Sequence, residues 1–566
     1  MSKSSETEST EKQKLINKKK DDDIVITGVI TTYLAGRLDR LPFSKFHLLV
    51  ITALGISWIL DGLEVMIIGA IGTILARKDV LGLTDVEIGL IGTTYLIGAV
   101  LGSLVFGWLS DRYGRKKIFM TCPIFYLTAS VCMAFSMNFT WLIMFNILMG
   151  FGIGGEYSGV NSAVNEFIPS RIRGRINIIV NGSYWLGATL GSIASLFLLN
   201  SAKVSPNLGW RFFFGIGSTL GIVILFLRSK IPESPRWLVT HNQPEKAEEI
   251  VLKIEQWVYK GKAIPELIDA KPLKISQTNK PISYKRVAKI FFEKFRKRSI
   301  LGLVLMLSQA FMYNALFFTY ALVLKRFYDV REEKLGYYLL GFCVSNFIGP
   351  LVLSPLFDIV GRKIMISLTY FLSSILLLLS SILFLEKKLS PVTQTVCWGA
   401  IFFVASPGAS AAYLTISEIF PLEIRSLAIS FFYALGTGIA GTIGPVLFSK
   451  LISTHKRSNL FYGYLIAVCL MFIGSIVEIF FGVKSEGKGL EEVAKPLADI
   501  FTVKEFAKEE KENKNESLVS DHSNENDNFS INSMNDDYEQ NKTSGTETSD
   551  VDSQKQKGLL SSTSSD

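Results

Sequence analysis

With 566 residues, 49% of them hydrophobic, only 19% charged and a mean hydropathy of +0.33, the chain carries too little charge for an ordinary water-facing surface. It points to the bilayer as its solvent. Five cysteines without a CxxC pair and four scattered histidines exclude a disulfide scaffold and a zinc cluster, and no cofactor or metal is implied. The net charge of +9 is divided: from Lys484 onward there are 19 acidic and 10 basic side chains, a net of −9, which leaves +18 for the rest. That excess lies between apolar runs, where anionic lipid and the positive-inside rule account for it without nucleic acid.

Residues 1–44 are rich in Lys, Ser and Glu and are expected to form a disordered cytosolic tail, because so few apolar groups cannot offset chain entropy. Within it, Glu11, Leu15 and Ile16 match the acidic dileucine pattern read by cytosolic sorting adaptors. The expected address is therefore the plasma membrane or, through that signal, an endosomal, lysosomal or vacuolar one. Runs long enough to cross a hydrocarbon core of about 30 Å follow at 47–75, 86–109, 118–137, 140–160, 177–200, 210–228, 299–324, 336–356, 364–385, 394–416, 426–448 and 459–483. They group as a six-helix bundle over 45–228, a cytosolic loop over 229–298 and a second bundle over 299–483. Residues 284–298 alternate Lys and Arg with Val, Ile and Phe, as either an amphipathic helix on the inner leaflet or a solvated basic connector would. An acidic stretch, 484–566, is expected to be a second disordered cytosolic tail. Basic loops after the second, fourth and sixth spans place those loops in the cytosol, although the mixed-charge KRFYDVREEK after the seventh then lands outside.

The second span runs into Gly107, Asp111, Arg112, Gly114 and Arg115, within GWLSDRYGRK, and the eighth into Asp358, Gly361 and Arg362, within SPLFDIVGRK. An Asp-x-x-Gly-Arg-Lys core thus recurs 247 positions on. The fourth span ends on Glu166, Pro169 and Arg173 and the tenth on Glu418, Pro421 and Arg425, at the same spacing and displaced by 252. Two motifs repeated in register imply a duplicated six-helix unit. Taken singly, each loop does no more than anchor a helix end; four matched loops point to a gate, with Asp and Arg paired between bundles that rock apart.

These loops, with GFGIGGEY in the fourth span, GWRFFF and IPESPRWL around the sixth and SEGKGLEE beyond the last, resemble the major facilitator superfamily. The likeness is nearest to its sugar-porter and metabolite:proton symporter branches, which include relatives of synaptic-vesicle proteins, and covers about residues 45–495. It implies an all-α membrane protein of twelve transmembrane helices in two six-helix pseudo-repeats, working by alternating access, with helices 1, 4, 7 and 10 around a central cavity. The family places an arginine four residues before the first glycine of the fourth-helix motif; Asn146 stands there instead. That departure weakens both an organic-anion and a simple proton-symport reading.

A carboxylate at membrane depth costs several kcal/mol, on the order of 3 by insertion scales, so it must face water or a partner. Asp61 and Glu64, three residues apart in the first span, are expected to share a face and to bind a proton or a cationic solute together. Glu156, after the glycine run of the fourth span, suits either the transport pathway or a pair with a basic loop residue. Asn181, Tyr184 and Trp185 in the fifth span, Gln309, Tyr313 and Asn314 in the seventh, Asn346 in the eighth, and Ser410 and Tyr413 in the tenth are candidates for solute contact. With no phosphate-binding GxxxxGK[ST] and no nucleophile–base arrangement, an ATP-driven pump and an enzyme are both disfavoured. The expected function is proton-coupled symport of a small polar metabolite, a sugar or an organic acid. The alternatives are a facilitative uniporter of a sugar-like solute and a transporter-like nutrient sensor without net transport.

Overall fold

The computed structural model describes residues 26–198, 204–260, 262, 273–278 and 284–495. Twelve long helices run through them: α1 Lys45–Leu75, α2 Asp85–Tyr113, α3 Arg115–Ala134, α4 Phe139–Phe167, α5 Arg173–Leu198, α6 Pro206–Ser229, α7 Arg296–Tyr328, α8 Glu332–Ile359, α9 Arg362–Leu385, α10 Pro391–Ile419, α11 and α12 Arg457–Phe481. In α11 two helical segments, Arg425–Leu435 and Thr442–Ser453, flank a π-helical turn at Gly436–Gly441. Local chemistry starts these helices where the sequence places polar punctuation. Thr84 and Glu87 form a reciprocal capping box on α2, the Asn138 side chain accepts from Trp141 N at 2.8 Å, and Pro206 and Pro391 open α6 and α10.

Eleven of the twelve are long and apolar enough to cross a membrane by composition alone. The remaining one, α5, falls short because Asn177, Asn181 and Ser183 interrupt its apolar run, yet its 26 residues reach about 39 Å at 1.5 Å per residue. It lies between α1 of its own half and α8 of the other. The polar side chains that lower its hydropathy thus sit inside the protein. The halves meet along two seams, α5 against α8 and α2 against α11.

Three segments depart from expectation. Part of the supposed N-terminal tail is folded: a strand, Ile26–Thr32, pairs antiparallel with Leu273–Thr278, and a short helix, Leu34–Asp39, follows it. These strands are also the exception to an all-α chain. Leu34 and Leu38 are buried, and Arg37 and Arg40 pair with Glu255 of the helix Pro244–Tyr259, so this stretch gains a partner that composition does not reveal. Likewise, within the supposed C-terminal tail, Leu490–Val493 is helical and Glu491 pairs with Arg236 at 3.0 Å. The amphipathic helix forms as Tyr284–Glu293, but its buried Val287, Ile290 and Phe291 are spent on the protein, Phe291 packing on Phe420 and Phe432. Glu11, Leu15 and Ile16, and everything beyond residue 495, lie outside the described residues.

Candidate transport site

At one end of the bundles the repeated motifs build the same ionic triad twice. In the first half Arg115, at the start of α3, holds Asp111 of α2 at 2.9 Å and Glu166 of α4 at 3.5 Å. In the second, Arg362 of α9 holds Asp358 of α8 at 3.4 Å and Glu418 of α10. Each arginine follows a glycine in the positive-φ region, Gly114 at +101° and Gly361 at +110°, which lets one helix turn straight into the next. Around Gly114 the Glu233 carboxylate accepts from Arg115 N at 2.8 Å and Lys116 N at 3.2 Å, capping α3. Burial pushes the Glu233 carboxyl above its ordinary range.

The triads are joined across the halves. Arg173 of α5 reaches Glu418 at 3.7 Å and Asp39 at 3.1 Å, and Arg175 N donates to Asp358 at 2.8 Å, so an aspartate of one half caps a helix of the other. Arg425, the repeat of Arg173, is fully buried within the fields of Glu166 and Glu491. Gly107 is buried where α2 meets α11, and a side chain there would run into Ser430. Arg112 is the exception among the motif residues: it is exposed and lies over the Trp108 and Tyr113 rings, outside the triad. These contacts tie the two halves together at this face.

Behind it lies a central cavity of about 140 Å³, far more than the roughly 10–15 Å³ one water requires. Asn181, Tyr184, Gln309, Tyr313, Asn314 and Tyr413 line it, together with Trp185 and Ser410. Asn346 stands one layer back, accepting from Tyr313 at 3.4 Å. Unforeseen in the sequence are Trp58, Tyr95, Tyr157, Ser406, Tyr433 and Thr437. Trp58 and Val65 flank Asp61 at helical spacing, which is the signal that marks the cavity face of α1. Thr437 belongs to the π-helical turn, an irregularity common at functional sites.

The two carboxylates of α1 take separate partners instead of forming a pair. Asp61 accepts from Tyr157 at 2.6 Å and from Tyr95, both lining the cavity. Glu64 accepts from Tyr126 at 2.5 Å, between α1, α3 and α6, and does not line the cavity. Glu156 belongs to a buried ion pair with Arg228 of α6, at 2.9 and 3.1 Å, and Arg228 also reaches Ser57 and the Phe119 carbonyl. Asn146 donates to the Ile91 carbonyl at 2.5 Å and to Thr94 at 3.0 Å, so it ties α4 to α2 outside the cavity lining.

Two six-helix halves around a central cavity, with matched triads at one end, define an integral multi-pass membrane protein of the major facilitator fold. A proton:xylose symporter of E. coli, solved with 6-bromo-6-deoxy-D-glucose, has the same fold at a TM-score of 0.66 and 18% identity, covering 79% of this chain and 98% of that one. The chain belongs to the family described as sugar (and other) transporter, which matches residues 24–496. Among curated relatives, a niacin transporter of Acinetobacter baylyi is 27% identical over 81% of this chain and 99% of its own. An arabinose-proton symporter of Bacillus subtilis is 25% identical over 80% of this chain and 95% of its own.

Proposed function

We propose that this chain moves a small polar metabolite by alternating access, with the triad face as the cytosolic gate and Asp61 as the group that binds a coupling proton. The observation that carries the reading is the setting of Asp61. It is buried, no Lys, Arg or His pairs with it among the described residues, and its two hydrogen-bond donors line the cavity. A lone carboxylate in such a place is stable when it carries a proton or meets a cation. Relatives named as proton symporters support the coupling. The lining amides, hydroxyls and rings include no Lys or Arg, which favours a metabolite without net negative charge.

The test is uptake into proteoliposomes from a panel of hexoses, organic acids and nicotinate-like compounds, with and without an imposed pH gradient. Accumulation should follow the gradient, and Asp61→Asn should abolish accumulation while sparing exchange; uptake indifferent to the gradient would overturn the coupling. Asn146 supplies no charge to the cavity, and this favours a facilitative uniporter as the second reading. Both tails are placed in the cytosol on this reading. Replacing Leu15 and Ile16 by Ala should shift the protein to the cell surface if the N-terminal signal directs it to an internal membrane.

A further inference from the structure

We propose that the solute of the central cavity is a small organic cation, and that it exchanges with the proton on Asp61 instead of travelling with it. The inference rests on Asp61 as the proton-binding group and goes on to name the solute class.

Ten of the twenty lining side chains are aromatic and none is Lys, Arg or His. Four of the rings, from four helices of both halves, form one cluster. Trp58 and Tyr157 lie 4.8 Å apart, Tyr157 and Tyr433 4.5 Å, Trp58 and Tyr413 5.9 Å, and Tyr413 and Tyr433 6.3 Å between centroids. Ring faces carry negative potential, so a box of several rings attracts a quaternary or protonated nitrogen, while an anion would find no cationic side chain in the lining. Asp61 adds to this from behind, since it accepts the hydroxyl proton of Tyr157 at 2.6 Å and places its charge one ring away from the cavity.

The charges facing Asp61 leave it uncompensated. Tyr95 comes from α2, Tyr157 and Glu156 from α4, Tyr184 from α5, Tyr413 from α10, Tyr433 from α11, and Glu64 from α1 itself. Of these, Glu156 is already neutralised by Arg228, Glu64 turns to Tyr126 and Ser130 outside the cavity lining, and the tyrosines are donors, so Asp61 is the carboxylate held by the cavity's own rings. One negative charge therefore needs one positive one. A proton and an organic cation are alternative ways to supply it, and both together would leave a net charge in a low-dielectric site. Binding of the cation sends the proton to water, and binding of the proton releases the cation.

The experiment uses the purified full chain, titrated with choline against its uncharged isostere 3,3-dimethylbutan-1-ol, and with the pyridinium cation 1-methylnicotinamide against nicotinamide, nicotinate and D-glucose. Binding is read from quenching of tryptophan fluorescence, since Trp58 and Trp185 line the cavity. At least one cation should bind about tenfold or more tighter than its neutral partner. Its apparent Kd should rise as pH falls, and in proteoliposomes an outwardly directed proton gradient should drive its uptake. Asp61→Asn should erase the preference, bringing the Kd of the cation to that of its neutral isostere, and saturable binding of the isostere by the same preparation separates lost recognition from lost fold. Equal binding of cation and isostere, or no saturable binding of either cation at millimolar concentration, overturns the proposal. If D-glucose or nicotinate is instead accumulated by a pH gradient and Asp61→Asn stops it, the solute class falls while Asp61 keeps its proton. Cation uptake that ignores both pH and Asp61→Asn removes the proton reading itself.

Discussion

Asn165 and Ser417 hydrogen-bond to each other across the two halves, and they stand 252 positions apart, the displacement that relates Glu166 to Glu418. Residues equivalent under a duplication can touch only where the pseudo-twofold axis passes between them. The axis therefore runs through the seam of α4 and α10 at the triad face. It also relates Arg175, whose N–H donates to Asp358, to Leu427, whose backbone faces Asp111. From this contact a ladder of buried amides leads inward: Asn177 donates to Asn165 at 3.5 Å and to Asn161 at 3.4 Å, and Asn181, at the cavity wall, donates to Asn161 at 2.9 Å.

On the proposed alternating-access reading the axial hydrogen bond breaks whenever the halves rock apart, and a neutral pair suits that duty because its net worth is only about 1 kcal/mol. Asn165→Ala should leave the Ser417 hydroxyl without its cross-half partner and destabilise the closed face by about 1–2 kcal/mol. Adding Ser417→Ala should cost little more, because the partner is already lost. Thiol labelling of cysteines placed along the seam would measure this, with faster labelling expected in the single variant.

Glu418 is fully buried and serves Arg362 of its own half and Arg173 of the other. Glu418→Gln takes the shared carboxylate from two buried guanidiniums, leaving Arg362 with Asp358 and Arg173 with Asp39, so the loss should stay within the roughly 3–5 kcal/mol that breaking a buried ion pair outright costs. A lowered melting temperature and a face opened to labelling are expected. Glu166→Gln should do the same more mildly, since its contact with Arg115 is longer, at 3.5 Å. Equal effects would show that the two triads carry the same load.

The triads were legible because they are short motifs repeated in register: Asp358 and Arg362 announce their role by copying Asp111 and Arg115. The twelve helices were legible from apolar run length, and the cavity candidates on α5, α7 and α10 from polar groups at membrane depth. The division of labour between Asp61 and Glu64 was not. Three residues along a helix is about 60° of rotation, and α1 touches α2 and α4 on one side and α3 and α6 on the other, so a small angle separates two environments. Nothing in the sequence marks Tyr95 and Tyr157, because an aromatic ring gives no hint of what its hydroxyl reaches. Arg228 sits where a stop-transfer cation is expected, and only the packing shows it turned inward.

The separation of the two carboxylates makes its own prediction. Glu64→Gln should keep gradient-driven uptake and lower thermal stability by about 1–2 kcal/mol, as expected for altering a hydrogen bond inside a bundle. Asp61→Asn should do the reverse, losing coupling with little change in stability. Loss of coupling in Glu64→Gln would return both residues to one shared site.

The C-terminal segment at the triad face should respond to acid. Burial works against the charge of Glu491, but Arg236 and Arg425 outweigh it and hold its carboxyl below the usual range. For a carboxyl lowered by folding, the stabilisation is complete above the unfolded pKa and is lost as pH falls through the folded one. Amide protection at residues 490–494, the exchange rate taken relative to the intrinsic rate at each pH, should therefore be steady from neutral pH down to the ordinary carboxylate range and fall only below it. Glu491→Gln should flatten that profile and raise exchange at neutral pH.

The Glu156–Arg228 pair distinguishes a structural charge from a transported one. Arg228 ties α6 to α1 through Ser57 and the Ala53 carbonyl, to α3 through Phe119 and to α4 through Glu156. Arg228→Met leaves Glu156 as an unpaired carboxylate inside the bilayer, at a cost of about 3–5 kcal/mol, and expression and melting temperature should fall accordingly. Joining it to Glu156→Gln removes both charges and should recover most of that loss, since two neutral groups need no partner. On the proposed reading the same double variant should keep proton-coupled transport, because Asp61 and its tyrosines are untouched. If stability returns but coupling does not, the pair belongs to the proton path and not only to the scaffold.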